Sequence, residues 1–229
     1  MRSLAFDTTG AQCAVALDID GRTAASAVAV ARHGHAELLA PMIADVLARG
    51  GVPARALDRL AVTRGPGGFT GVRVGLATAR GLALATGAPV FGVTTFEALL
   101  LSLSAPGPLD HDCVVAVVDS RLALLFVQLF DGRLRPLGPG VACEPAALAA
   151  MLPAGTRPLL IGDAAVRAAE ALADAGRPAE GVLSVLPDAA ALARAAAHCP
   201  PAALGLPAPL YLAPPAVSLP AAAVSVAGQ

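Results

Sequence analysis

The chain has 229 residues, a formal net charge of −1 and 56% hydrophobic residues, and none of its 16 basic side chains is a lysine. A P-loop needs a lysine for the terminal phosphates and a Schiff-base enzyme needs one as nucleophile, so both chemistries are excluded. With so little net charge, any nucleic-acid contact must be local or come from a partner.

The stretch "SLAFD" reads as a short strand ending on Asp7, followed after "TTGA" by a second strand, "QCAVALDI". Asp20-Gly21 is a strong hairpin signal and returns the chain into a third strand, "RTAASAVAV". Between residues 35 and 49 the period changes. Leu38, Leu39, Met42, Ile43, Val46 and Leu47 form a broad helical face, Asp45 and Arg49 make an i,i+4 pair, and Gly50-Gly51 stops the helix. "RLAVTRG" is the next strand, a glycine-rich turn leads into a second helix, and "PVFGV" is another strand.

The opening repeats itself. "LAFDTTGAQCAVALDIDGR" lines up with "VAVVDSRLALLFVQLFDGR": a strand ending in aspartate (Asp7, Asp119), a second strand, an Asp-Gly turn, then arginine. Helices near 144–152, 163–175 and 188–198 and a strand at "RPLLIG" continue the alternation. The expectation is an α/β protein of two similar lobes, residues 1–106 and 107–199, each with a mixed sheet and packed helices. A Pro/Ala-rich tail, 200–229, is expected to be extended and in part disordered, with "PLYLAPP" able to dock on the body.

In "GPGGFTGVRVG" the sequence sets a turn at Pro66, positive φ at Gly67 and Gly68, and a cap from Thr70 for a helix starting near Gly71. A glycine loop feeding a helix suits an anion, but without lysine the reading is a structural turn. That second helix carries small residues at Gly71, Gly75 and Ala79 and is apolar nearly all round apart from Arg73 and Arg80. The first carries its own stripe at Ala36, Ala40, Ala44 and Ala48. Together they carry more apolar surface than one sheet face absorbs, which points to a second protein, the alternative being that both helices fill a large internal core. The residues expected at that interface are Leu38, Leu39, Met42 and Val46 with Gly71, Val72, Gly75, Ala79 and Leu82.

Paired titratable groups for catalysis are scarce, and no catalytic or metal-binding residue is expected. Asp7, Thr8, Thr9 and Gly10 stand where an actin-like ATPase keeps its first phosphate loop. The second-lobe counterpart, Asp119-Ser120-Arg121, has no glycine, so the loop reads as vestigial. Glu97 in "TTFE" fits a capping partner for Thr94. His33 and His35 are two apart, not the three or four of ligands sharing a helix face. Cys13, Cys113, Cys143 and Cys199 have no C-x-x-C spacing, Met1-Arg2-Ser3 runs straight into a strand, and no charge-free, proline-free apolar run reaches ~18 residues. A cytoplasmic protein with reduced thiols and no membrane span is expected.

Five segments, "LAFDTTGAQCAVALDIDG", "HAELLAPMIADVL", "AVTRGPGGFTGVRVGLATARGLA", "PVFGVTTFEAL" and "PLYLAPP", resemble the TsaB family of tRNA threonylcarbamoyladenosine biosynthesis proteins. The resemblance is close over residues 1–100 and looser beyond. It implies a duplicated ribonuclease-H-like, actin-like ATPase fold without cofactor. It also implies a non-catalytic subunit that pairs through its first two helices with a catalytic paralogue, TsaD, joined by the ATPase TsaE, and meets tRNA only through that complex. The exposed apolar faces of the same helices are compatible with a homodimer of the isolated chain, and the sequence leaves homodimer and heterodimer open. The complex adds a threonylcarbamoyl group to N6 of adenosine 37 in tRNAs reading codons that begin with A. The paralogue's metal-binding H-x-x-x-H pair has no counterpart here, and after Asp119 the chain keeps Arg121 but lacks the acidic residue usual in the family. The rival reading is a self-sufficient actin-like ATPase or small-molecule kinase built on Asp7, Thr8 and Thr9.

Overall fold

A computed structural model describes residues 1–103 and 111–214. Strands β1 (Arg2–Asp7), β2 (Gln12–Ile19) and β3 (Arg22–Val30) lead to helix α1 (His35–Arg49), and β4 (Arg59–Thr63) leads to α2 (Phe69–Thr86), β5 (Val90–Val93) and α3 (Thr95–Leu101). The second half repeats the order with β6 (Cys113–Asp119), β7 (Leu125–Asp131), β8 (Val141–Cys143), α4 (Leu148–Met151), β9 (Pro158–Ile161), α5 (Ala165–Asp174), β10 (Gly181–Leu183) and α6 (Ala189–His198).

The two five-stranded sheets have one topology. The first runs β3-β2-β1-β4-β5, and the second, read from the corresponding edge, runs β8-β7-β6-β9-β10. In both, the opening hairpins pair antiparallel while the later strands join in parallel. This is the duplicated two-lobe α/β fold that the sequence repeat implied. At the first hairpin Asp20 and Gly21 take φ of 53° and 83°, as a tight primed turn requires, and the Gly21 N–H donates to Asp18 at 2.8 Å.

Side-chain size alternates along the central strands and decides what packs where. Leu4, Phe6, Val15, Leu17, Leu60 and Val62 project to one face and make the core beneath α1 and α2. Ala5, Ala14, Ala16 and Ala61 project to the other, where α6 settles closely through Ala189, Ala193 and Ala196. Large residues thus face the helices of their own lobe, and small ones admit a backbone from elsewhere.

That helix comes from the second half of the chain, and the exchange is mutual. Helix α3, from the first half, lays Phe96 and Leu99 on Val114, Ala116, Val118 and Ile161 of the second sheet. Each lobe is completed by the last helix of the other, an arrangement that alternation of elements along the sequence does not reveal. The junction at residues 106 and 107 lies outside the described residues.

Two local expectations need correction. Helix α2 starts at Phe69 with Gly68 as N-cap and no side-chain cap, so exposed Thr70 is already inside the first turn. Gly68 has φ of −58°, whereas Gly65 is the residue of that turn deep in the left-handed region, at 100°. By contrast, Thr94 and Glu97 form the complete capping box at the start of α3.

The segment after α6 is docked on the first lobe. Leu204 bridges Phe91 at the edge of the sheet, Gly205 donates to Val90 at 2.9 Å, and Leu210 donates to the Arg64 carbonyl at 2.7 Å. Arg80 reaches the Pro207 carbonyl at 3.2 Å. Residues 204–214 therefore strap the flank of α2 and cover the β5 edge, while 215–229 lie outside the described residues.

Candidate functional site: the inter-lobe seam

The loop between β1 and β2 sits at the junction of the lobes, and its hydrogen bonds point inward. Asp7 Oδ1 accepts from the Thr9 N–H at 3.2 Å, from the Thr9 hydroxyl at 2.7 Å and from the Thr63 hydroxyl. Thr8 donates to the Gly71 carbonyl at 2.7 Å, and Thr95 donates to Thr9 at 3.3 Å. Asp7, Thr8 and Thr9 are almost wholly buried. Burial pushes the Asp7 carboxyl above the usual carboxylate range, against the opposing pull of hydrogen bonds from Thr63 and Thr9 and the nearby His35 ring. Its second oxygen has no partner.

Gly10 is buried as well, although with Thr8 and Thr9 it lines a cavity of about 490 Å³. A methyl group built there would meet Leu186 Cδ2 at 2.9 Å and lie 4.0 Å from the Asp163 carboxylate. Asp163 is held in place by accepting the Asp119 N–H at 2.8 Å, and burial raises its carboxyl as well. A phosphate approaching Gly10 would meet an apolar side chain and a buried acid where a phosphate loop offers amides.

The glycine-rich turn has a different use. Gly67 and Gly71 press on the backbone of that same loop: an added Cβ would stand 2.5 Å from the Thr9 carbonyl oxygen and 1.9 Å from that of Thr8. At Gly75 it would stand 2.7 Å from the Thr8 hydroxyl oxygen and 3.3 Å from Val62. The stripe Gly71, Gly75 and Ala79 therefore faces the chain's own interior and lets α2 lie directly on β1 and β4. Its helical period also fits an outward groove, and only the distances separate the two.

This corrects the interface expected from sequence. Of its nine residues, Leu39, Val46, Gly71, Val72, Gly75 and Ala79 are buried within the chain, and Leu38, Met42 and Leu82 are half-buried. The outward faces of the same helices carry Ala36, Ala40, Ala44 and Ala48 on α1, and Ala77, Gly81, Leu84 and Ala85 on α2, with Leu84 90% exposed.

Two cavities open along the seam, the larger of them lined in part by Thr8, Thr9 and Gly10. One, of about 280 Å³, is lined by Phe69, Phe126, Tyr211, Ser120 and Arg121. The other, of about 490 Å³, shares Phe69 and Arg121 and adds Arg32, His33, His35 and Glu37. His35 is fixed with Nε2 3.2 Å from the Gly10 carbonyl oxygen, so that the ring N–H donates to it. Sequence reasoning singled out Arg121 but missed Leu186, Asp163, Phe69 and Tyr211. Tyr211 is the only tyrosine in a chain poor in aromatic residues, a signal that composition did offer. Among the described residues, no helix is long and apolar enough to cross a membrane.

A family model described as TsaD, tRNA N6-adenosine threonylcarbamoyltransferase, matches residues 29–152. The TsaB protein of Escherichia coli K12, a tRNA threonylcarbamoyladenosine biosynthesis protein, is 36% identical over 126 residues, which cover 55% of this chain and 53% of that one. The chain spans about half the length of the curated relatives it matches. Among solved structures, YeaZ from Pseudomonas aeruginosa superposes with a TM-score of 0.69 at 29% identity, over 86% of this chain and 90% of that one. A Pseudomonas aeruginosa protein described as uncharacterized, with similarity to peptidase YEAZ, superposes with a TM-score of 0.68 at 30% identity, over 83% and 88%.

Proposed function

Because the chain belongs to the tRNA N6-adenosine threonylcarbamoyltransferase family, as a TsaB-like member of it, we propose that it is a non-catalytic subunit of the machinery that adds a threonylcarbamoyl group to N6 of adenosine 37 in tRNAs reading codons that begin with A. The observation that carries the non-catalytic part is the inward hydrogen bonding of the loop between β1 and β2. Its hydroxyls are spent on Asp7 and Gly71, and Leu186 stands over Gly10. A self-sufficient ATPase or kinase would need those groups free to meet phosphate.

The partner is a catalytic TsaD-type paralogue, with the ATPase TsaE completing the assembly, and the contact is made by the outward faces of α1 and α2. Support comes from the composition of those faces. Ala77, Gly81 and Ala85 let a second helix approach closely, and Leu84 gains cover when it does. The isolated chain forms a homodimer through the same surface.

The test is reconstitution with the TsaD-type paralogue from the same cell. Modified adenosine on a tRNA transcript is measured with and without this chain, and ATP turnover is measured on the chain alone. Isolated protein turning over ATP would overturn the proposal. A second arm uses Gly81→Leu, at an exposed position where an added Cβ meets no atom within 4 Å, with its fold checked by circular dichroism. It is expected to weaken co-elution with the paralogue at least tenfold, and unchanged co-elution would remove this face from the interface.

A further inference from the structure

The smaller seam cavity gathers two of the chain's six phenylalanines and its one tyrosine into a single wall: Phe69, Phe126 and Tyr211. Phe126 belongs to the second lobe's core, whereas Phe69 and Tyr211 stand outside the core clusters and form the outer part of the wall. The outer pair is pre-set. The Phe69 and Tyr211 ring centroids lie 5.0 Å apart at 40°, and the Arg73 guanidinium sits 3.7 Å over Phe69 while donating to the Tyr211 hydroxyl at 3.2 Å. Tyr211 keeps 39% of its surface exposed at the mouth.

Positive charge lies beside the rings. Arg121 stands at φ of 60°, a conformation that side chains other than glycine and asparagine seldom take, with its N–H held by Asp119 at 2.9 Å. Its guanidinium reaches across the seam to within 3.4 Å of the Arg32 carbonyl oxygen. Arg32, Arg73 and Arg121 enter none of the ion pairs among the described residues. The opposing carboxylates are Glu37, in the larger cavity, and Asp119 and Asp163 behind Arg121.

We infer that this seam binds an unpaired nucleotide of an RNA strand, its base against Phe69 and Tyr211 and its flanking phosphates on Arg121 and Arg32. A planar base matches the ring wall whatever its identity, and guanidinium groups without a carboxylate partner match phosphate. A volume of about 280 Å³ holds one base with its sugar, and the larger, cation-lined cavity continues from it along the path a strand would follow. Paired bases are stacked inside a duplex and cannot enter. A chain of net charge −1 has no general attraction for nucleic acid, so the contact is local, at this patch. The inference rests on the proposed function only in taking RNA as the polymer.

The test is fluorescence anisotropy on the full chain with a labelled RNA hairpin bearing a seven-base loop, a blunt RNA duplex of equal length, and adenosine monophosphate as competitor. The hairpin is expected to bind at least tenfold more tightly than the duplex. Tyr211→Ala should weaken hairpin binding about tenfold without changing its salt dependence, because a stacked ring is lost and no charge is. Tyr211→Phe should restore it. Arg121→Gln should lower the slope of log affinity against log salt by about 0.7, one phosphate contact on a single strand. Equal binding of hairpin and duplex, or an unchanged Tyr211→Ala, overturns the inference. Displacement by adenosine monophosphate at concentrations equal to the hairpin also overturns it and assigns the cavity to a free nucleotide. None of these readings involves the paralogue, so failure here and failure of the subunit role are separate results.

Discussion

One substitution made at two places on α2 separates the packing role of its glycines from their effect on the helix. At Gly71 the Cβ of alanine would lie 1.9 Å from the Thr8 carbonyl oxygen and 3.1 Å from its carbon, both backbone atoms of a buried loop that has nowhere to retreat. Overpacking of this kind costs about 1–3 kcal/mol or more. Displacing α2 would also break the 2.7 Å bond from Thr8 to the Gly71 carbonyl, worth about 1 kcal/mol. Better helix propensity returns at most about 1 kcal/mol. Gly71→Ala should therefore destabilise the chain by about 1–3 kcal/mol or more. Gly81→Ala, in open space on the same helix, should stabilise it by up to about 1 kcal/mol. At this chain length each kcal/mol moves the melting temperature by about 2–4 °C, so the two variants should melt roughly 2–16 °C apart, on opposite sides of the parent. Thermal melts followed by circular dichroism decide it. A Gly71→Ala protein as stable as the parent would refute the argument that backbone contact, not surface shape, demands glycine there.

Burial raises the Asp7 carboxyl, which sets the sign of its pH dependence. Its favourable state, the neutral acid, is fully present below the unfolded value near 3.8 and is lost as pH rises through the folded value. Asp7→Asn should therefore gain stability over the parent as pH rises. Urea midpoints between pH 4 and 8 should diverge and then level off, and parallel profiles would contradict the cause given. Thr94→Ala removes the capping box of α3 and should cost about 1 kcal/mol in urea unfolding. Because Phe96 and Leu99 of α3 fill the second lobe's core, both lobes should lose stability together. If a probe in the second lobe reported no change, the helix exchange would not couple the lobes energetically.

Much of this fold is legible in the chain itself, because strand hairpins, helix stops and the capping box depend on neighbours a few residues apart. Asp20-Gly21 turns as any such pair does, Gly50-Gly51 ends α1, and Thr94 finds Glu97 three residues on. The repeat of strand, aspartate, strand and Asp-Gly turn was enough to imply two lobes of like topology.

What depends on distant partners was not legible. Helical periodicity says that Gly71, Gly75 and Ala79 share a face but not which way the face turns, since a glycine stripe admits a foreign helix and the chain's own backbone equally well. Only the distance from Gly71 to the Thr8 carbonyl settles that it turns inward. The alanines at positions 5, 14, 16 and 61 likewise announce a close approach without naming the visitor, which proves to be α6 from the far end of the chain. Leu186, which closes the loop at Gly10, and Tyr211, which completes the aromatic wall, stand more than 140 residues from the groups they meet. Local propensity acts over a few residues and is written in order along the chain. Burial and backbone approach are properties of the closed three-dimensional packing, and tertiary structure alone decides them.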